Sequence, residues 1–158
     1  MAIDPADFRR ALAQFASGVT AVTTRDASGR SLGLTVTAFS SVSLEPPLVL
    51  VCVDTRSETN AGFRDSGTFG VSVLSEEQEE VSKQFAWGGA AKFDKAETVD
   101  GTTGVPLVAG ALAHLECRVV AAHPAGDHTI YVGEIVAMAT RPGRPLTYWQ
   151  GQYRRLRT

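Results

Sequence analysis

Most of this chain alternates apolar and polar positions with a period of two, and the period lengthens to that of a helix in only three short places. The sharpest alternation covers residues 112–120. Ala113, Leu115, Cys117 and Val119 share one face, and His114, Glu116 and Arg118 share the other. That pattern predicts a half-buried antiparallel strand. PAGD at 124–127 then turns the chain into HTIYVGEIVAMA, which predicts a hairpin. The β-branched run VTAVTT from Val19 and the residues 68–74 are two further predicted strands, with DASGR as a turn after the first. The segment GLTVTAFSSVSLEPPLVLVCVD, residues 33–54, reads as two strands joined by the loop FSSVSLEPP.

The first helical stretch opens on Asp4 as N-cap with Pro5 at its first position. Phe8, Leu12 and Phe15 form one apolar stripe, and Gly18 ends it. Ser57 can cap a short helix through about Phe63, closed by Gly67. SEEQ at 75–78 has the form of a capping box and starts a helix whose inner face includes Val81 and Phe85. Residues 87–104 show no period and are long for a loop, a length typical of lids and binding segments. The tail PLTYWQGQYRRL is aromatic-rich. Six or seven strands with two or three short helices predict a mainly β, antiparallel barrel with flanking helices. A parallel nucleotide-binding sheet would need helices between strands, and no GxGxxG follows any strand.

Length and composition narrow the chemistry. At 158 residues the chain is expected to be one domain with a core of its own. It is 44% apolar and 20% charged with a net charge of −2, which argues against nucleic acid as a partner. No apolar run is long enough for a membrane span, and MAIDPADF has no secretory pattern, so a cytoplasmic location is expected. Cys52 and Cys117 lie in strand patterns and read as buried thiols. The histidines His114, His123 and His128 lack metal-ligand spacing, so no metal is expected, and no GxSxG elbow occurs. A bound cofactor that carries the chemistry is what remains.

Residues 33–63 have the right groups for a flavin, which needs an apolar slot, edge hydrogen bonds and an anion site. Thr37, Ala38, Phe39, Ser40 and Ser41 present hydroxyls and amides among small side chains, and Val51, Cys52 and Val53 offer strand-end backbone. Arg56, Ser57 and Thr59 stand at a helix start, where dipole, amides and guanidinium suit a phosphate. Taken singly, these features have plainer readings: hydroxyls suit strands and turns, Ser57 a cap, Cys52 packing, and Arg56 a solvated surface.

In succession they resemble the flavin reductase-like family. The resemblance runs from FRRALAQFASGVTAVTT to the final GQY, through the 33–54 segment, RSETN, FGVSVL before SEEQ, FAWGGAAKF, ALAHLECRV and GDHTIYVGEI. It implies a split β-barrel with Greek-key connections, usually a homodimer with flavin near the subunit interface. It also implies reduction of FMN or FAD by NADH or NADPH, and a separate flavin-dependent monooxygenase that receives the reduced flavin. Carried over by position, Thr35 to Ser41 and Cys52, Val53 and Asp54 would contact the ring and ribityl chain. Ser57, Thr59 and Asn60 would lie near the phosphate, and Lys92 and Phe93 would close over the flavin. His128 resembles the family histidine beside the nicotinamide, where it would orient the hydride donor. Tyr148, Gly151 and Tyr153 match the region near the nicotinamide, though packing explains the tyrosines equally well, and Gln152 replaces a glycine common in relatives. Two other readings use the same barrel: a non-enzymatic flavin carrier, and an FMN-dependent oxidase of the pyridoxamine-phosphate oxidase kind. The latter would need a phosphate pocket, for which Arg154, Arg155 and Arg157 are candidates.

Overall fold

The computed structural model describes residues 1–87 and 89–157, so Gly88 in the predicted loop lies outside the described residues. In chain order the elements are α1 (Pro5–Leu12), β1 (Ser17–Gly18), β2 (Thr20–Arg25), β3 (Ser31–Val36), β4 (Phe39–Ser43), β5 (Leu48–Asp54), α2 (Glu58–Ser66), β6 (Thr68–Val73) and α3 (Glu79–Trp87). A 3-10 turn follows at Gly89–Ala91. Then come β7 (Thr98–Asp100), β8 (Pro106–Val108), β9 (Ala113–Ala125), β10 (His128–Thr140), β11 (Thr147–Trp149) and β12 (Gln152–Arg154). Among the described residues no helix is long and apolar enough to cross a membrane.

Seven strands form one antiparallel sheet in the order β3-β2-β6-β9-β10-β5-β4. β3 and β4 are therefore its two edges, yet only Thr37 and Ala38 separate them in the chain. Three residue steps reach about 10 Å, whereas seven flat strands would hold the edges roughly 29 Å apart at about 4.8 Å per strand. The sheet must roll until its edges meet at one corner, and no ladder joins β3 to β4. The result is an open, split barrel, in agreement with the predicted fold class.

Strand alternation fills that barrel. Val49, Val51 and Val53 of β5 point inward with Val22, Phe69, Val71, Cys117 and Tyr131. Helix α2 plugs one end: Phe63 stacks on Tyr131 at 4.4 Å and leans on Phe69 at 4.9 Å. β2 is buried on both faces because a second cluster covers its outside. There Val19, Ala21, Leu74, Phe85 and Leu146 pack beneath α3 and the tail hairpin. The hydroxyls of β2 find carbonyls in this dry setting, Thr20 donating to Val36 at 2.7 Å and Thr24 to Thr68 at 2.7 Å.

The structure departs from the sequence pattern at several elements. Half of the predicted loop FSSVSLEPP is the edge strand β4, since an edge tolerates serines that face water. α2 continues three residues past Phe63, and Gly67 closes it at φ 68°. Gln78 returns to the Ser75 amide at 3.0 Å, but the helix itself begins only at Glu79. The period-free stretch 87–104 holds the 3-10 turn and β7, which pairs with β8. That hairpin covers the supposed wet face of β9: Glu116 is buried and His114 bonds the Val108 carbonyl at 2.6 Å. The apolar stripe of α1, by contrast, covers nothing within the chain. Phe8, Leu12 and Phe15 are all exposed.

Candidate functional site

A cleft of about 450 Å³ opens beside the free edge of β3. One wall is the start of β3, Arg30 to Gly33. The second is the first turn of α2 with Ser57, Glu58 and Thr59, and the third is formed by Gly89, Lys92 and Phe93. Ser57 is the N-cap of α2, its Oγ accepting from the Thr59 amide at 3.2 Å. The positive end of the helix dipole therefore points into the cleft. Lys92 Nζ donates to the Gly33 carbonyl at 2.9 Å, and burial pushes its pKa below the usual lysine value while nearby Glu58 acts in the other direction. Phe93 meets Phe85 edge to face at 5.1 Å, which ties this wall to the core under α3. Position 33 has to be glycine for Phe85 to pack against β3, because a Cβ there would come 2.7 Å from the Phe85 ring.

The polar end of β5 lies next to this cleft. Thr55 donates to Asp127 at 3.0 Å and Cys52 to Ala38 at 3.1 Å, so odd-numbered amides face β10 and even-numbered amides face β4. β4 begins at Phe39, and the Asp54 amide therefore projects past its end. Across the β5–β10 ladder Asp54 stands opposite His128. Asp127 accepts from His128 Nδ1 at 2.7 Å, and the imidazole beside it holds the Asp127 carboxyl below its ordinary range. Asp54 is held well below the usual carboxylate range by the guanidinium and amide of Arg56, with bonds of 2.9 and 2.8 Å. Three residues thus link the His128 edge to the Ser57 cap. The cleft itself carries Arg30, Glu58 and Lys92, while Asp54, Asp127 and His128 stand at the paired ends of β5 and β10.

Other residues singled out in the sequence are used differently. Asn60 is turned away from the cleft and buried: Tyr131 donates to its Oδ1, and its Nδ2 reaches the Asp54 carbonyl at 3.4 Å. Its side chain is thus bonded within the barrel and is not among the residues lining the cleft. Its i+3 position from the cap puts it on the helix face that plugs the barrel. Val53 is likewise buried in the core, so only its backbone can meet a ligand. The Thr35 hydroxyl is committed to the Ser82 carbonyl at 2.5 Å. Thr37, Ala38, Ser40 and Ser41 are exposed, Phe39 is half-buried, and Cys52 is half-buried with its thiol pushed up by burial. Tyr153 bonds Ser82 Oγ at 2.7 Å and packs on Tyr148 at 5.3 Å, which gives both tyrosines a place on α3. Gly151, at φ 74°, completes with Gln150 the tight turn between β11 and β12. Arg154 lies over the Trp149 ring at 5.6 Å. Sequence reasoning gave no site role to Arg30, Ser31, Leu32, Glu58 and Gly89; Glu58 and Gly89 lie within quoted motifs, and the five come together only by folding.

Comparison with known proteins identifies the family. A family model described as "Flavin reductase like domain" matches residues 12–157. A protein of Rhodococcus sp. named NADH-dependent flavin reductase is 47% identical over 156 residues, covering 98% of this chain and 88% of that one. The reductase subunit of a flavin-dependent monooxygenase from Rhodococcus jostii is 39% identical over 153 residues, covering 96% and 78%. Among solved structures, the NADH:FAD oxidoreductase of Streptomyces globisporus superposes with a TM-score of 0.91 at 38% identity, covering 100% of this chain and 98% of that one.

Proposed function

The chain belongs to the flavin reductase-like family, and on that premise we propose that it transfers hydride from NADH to a flavin and hands the reduced flavin to a separate monooxygenase. The observation that carries the reading is the cleft at the capped N-terminus of α2, with Lys92 in its wall, three residues along the chain from Asp54, which stands opposite His128. This donor set fits a flavin. Ser57, Thr59 and Lys92 would hold a phosphate, with the Ser57 hydroxyl and helix dipole neutralising it. The backbone of residues 37–41 and 52–54 would meet the ring edge, where the projecting Asp54 amide is a donor for charge developing on the pyrimidine. The flavin, once bound, supplies the hydride acceptor. The protein supplies orientation and exclusion of water. His128, held through Nδ1 by Asp127, would present Nε2 to the nicotinamide.

Two further parts belong to this reading. The uncovered stripe Phe8, Leu12 and Phe15, with Leu44 also exposed, supports a homodimer in which a second copy covers α1. Both cysteines are free, which suits a cytoplasmic location. The relative from Rhodococcus jostii is a monooxygenase reductase subunit, and a diffusible reduced flavin is the product such a partner consumes. The test is NADH oxidation followed by absorbance with FMN or FAD added. Turnover that depends on flavin is expected, and flavin binding without any oxidation of NADH would favour the carrier reading instead.

A further inference from the structure

One buried side-chain amide joins the end of β5, the first turn of α2 and β10. Asn60 is 3% exposed and Tyr131 1%. Asn60 Nδ2 faces the Asp54 carbonyl and Thr129 Oγ1, each at 3.4 Å. A carbonyl can only accept, so the amide must turn its nitrogen to Asp54 and its oxygen to Tyr131, whose hydroxyl then donates at 2.5 Å. The two nitrogen contacts are long and shared, near the limit for a hydrogen bond. The Tyr131 hydroxyl is therefore what keeps the amide from flipping.

The Asp54 carbonyl also accepts from the Ser57 amide at 3.0 Å, which closes the turn from β5 into α2. On the strand side Asp54 is paired with His128, and the Thr55 amide donates to the Asp127 carbonyl at 3.0 Å. On the helix side the Asn60 backbone amide donates to the Ser57 carbonyl at 3.1 Å. Arg56 clasps the Asp54 carboxylate from outside, but its side chain is 84% exposed, and an ion pair so placed is screened by water. The grip on this turn that is shielded from water comes from Asn60.

We propose that Asn60, fixed by Tyr131, is a positioning residue that sets the spacing between the Asp54 amide and the Ser57 cap, and so favours a flavin with a phosphate over one without. This step rests on the flavin reading above, in which the ring edge meets the Asp54 amide and the phosphate meets Ser57. Only a molecule that spans both contacts feels the distance between them. Riboflavin has the ring alone, and FMN has ring and phosphate. Once the side-chain amide is free to turn, the segment 54–57 gains further arrangements. FMN then loses the part of its affinity that comes from two anchors held at a preset distance.

Equilibrium titration of the full chain with FMN and with riboflavin tests this in wild type, Tyr131→Phe, Asn60→Ala and the double variant. Tyr131→Phe keeps the ring stack on Phe63 and loses only the hydroxyl, so its result decides by itself if Asn60→Ala does not fold. Wild type should bind FMN about tenfold more tightly than riboflavin, the scale of one charge-assisted hydrogen bond. Each single variant should cut that ratio about fivefold with riboflavin affinity unchanged, and the double variant should lose no more than Asn60→Ala alone, as residues acting through one another do. A pair with only a structural role lowers the melting temperature but shifts both flavins alike or neither. Either result overturns the proposal and leaves the flavin site standing. So does a ratio that falls in Asn60→Ala and survives Tyr131→Phe. Equal binding of the two flavins by wild type would remove the phosphate contact and this proposal with it, and binding of neither would overturn the site itself.

Discussion

Ser57 lines the cleft at the cap of α2, and His128 stands opposite Asp54, three residues before that cap; each has a structural place beside its proposed chemical role. His128 opens β10 opposite Asp54 and lies outside both core clusters. His128→Ala should therefore slow flavin reduction by NADH about tenfold or more, as loss of an orienting contact does, with flavin affinity changing little. Stopped-flow reduction and a flavin titration on the same variant read both quantities, and unchanged reduction would take His128 out of the site. Ser57 caps α2, and its loss costs about 1 kcal/mol of stability. A protein weakened by that much is still almost wholly folded. Any clear drop in FMN affinity in Ser57→Ala then reports a lost phosphate contact, and unaltered affinity would leave only the cap.

Among the elements, the β7–β8 hairpin shows how a charged residue can be read wrongly from its neighbours. Glu116 alternates with His114 and Arg118 as though it faced water, but the loop 101–104 closes over it. Thr103 donates to its carboxylate from the amide at 2.7 Å and from the hydroxyl at 2.6 Å, and Thr102 adds its amide at 3.1 Å. Burial alone would raise the Glu116 carboxyl, but these donors outweigh it and hold the pKa below the ordinary 4.5. A carboxylate with a depressed folded pKa contributes stability above its unfolded value, and that contribution is lost as pH falls through the folded value. Urea denaturation from neutral pH into the acid range should show this loss in the wild type. Glu116→Gln should be less stable at neutral pH and flatter on the acid side; an equally steep acid limb would assign the dependence to other groups.

For the molecule as a whole, the unpaired stripe on α1 is the feature a single chain does not explain. Replacing Phe8 and Phe15 together by Asp should leave the fold intact, since neither residue is buried, and should turn a dimer into a monomer in sedimentation. A variant that sediments as the wild type does would remove α1 from the interface. Much of this architecture was legible in the chain. Alternation marked the strands, Asp4 and Ser57 marked helix starts, and the order of short motifs from GLTVTAFSS to GDH marked the family, because each rests on contacts between residues close in sequence. Folding alone decided that Thr37 and Ala38 would join opposite edges of one sheet, that Asn60 would turn inward to Tyr131, and that Arg30, Glu58 and Lys92 would share a cleft. Those outcomes depend on how a seven-stranded sheet rolls and which edges are left open, a property of long-range packing that no local period records.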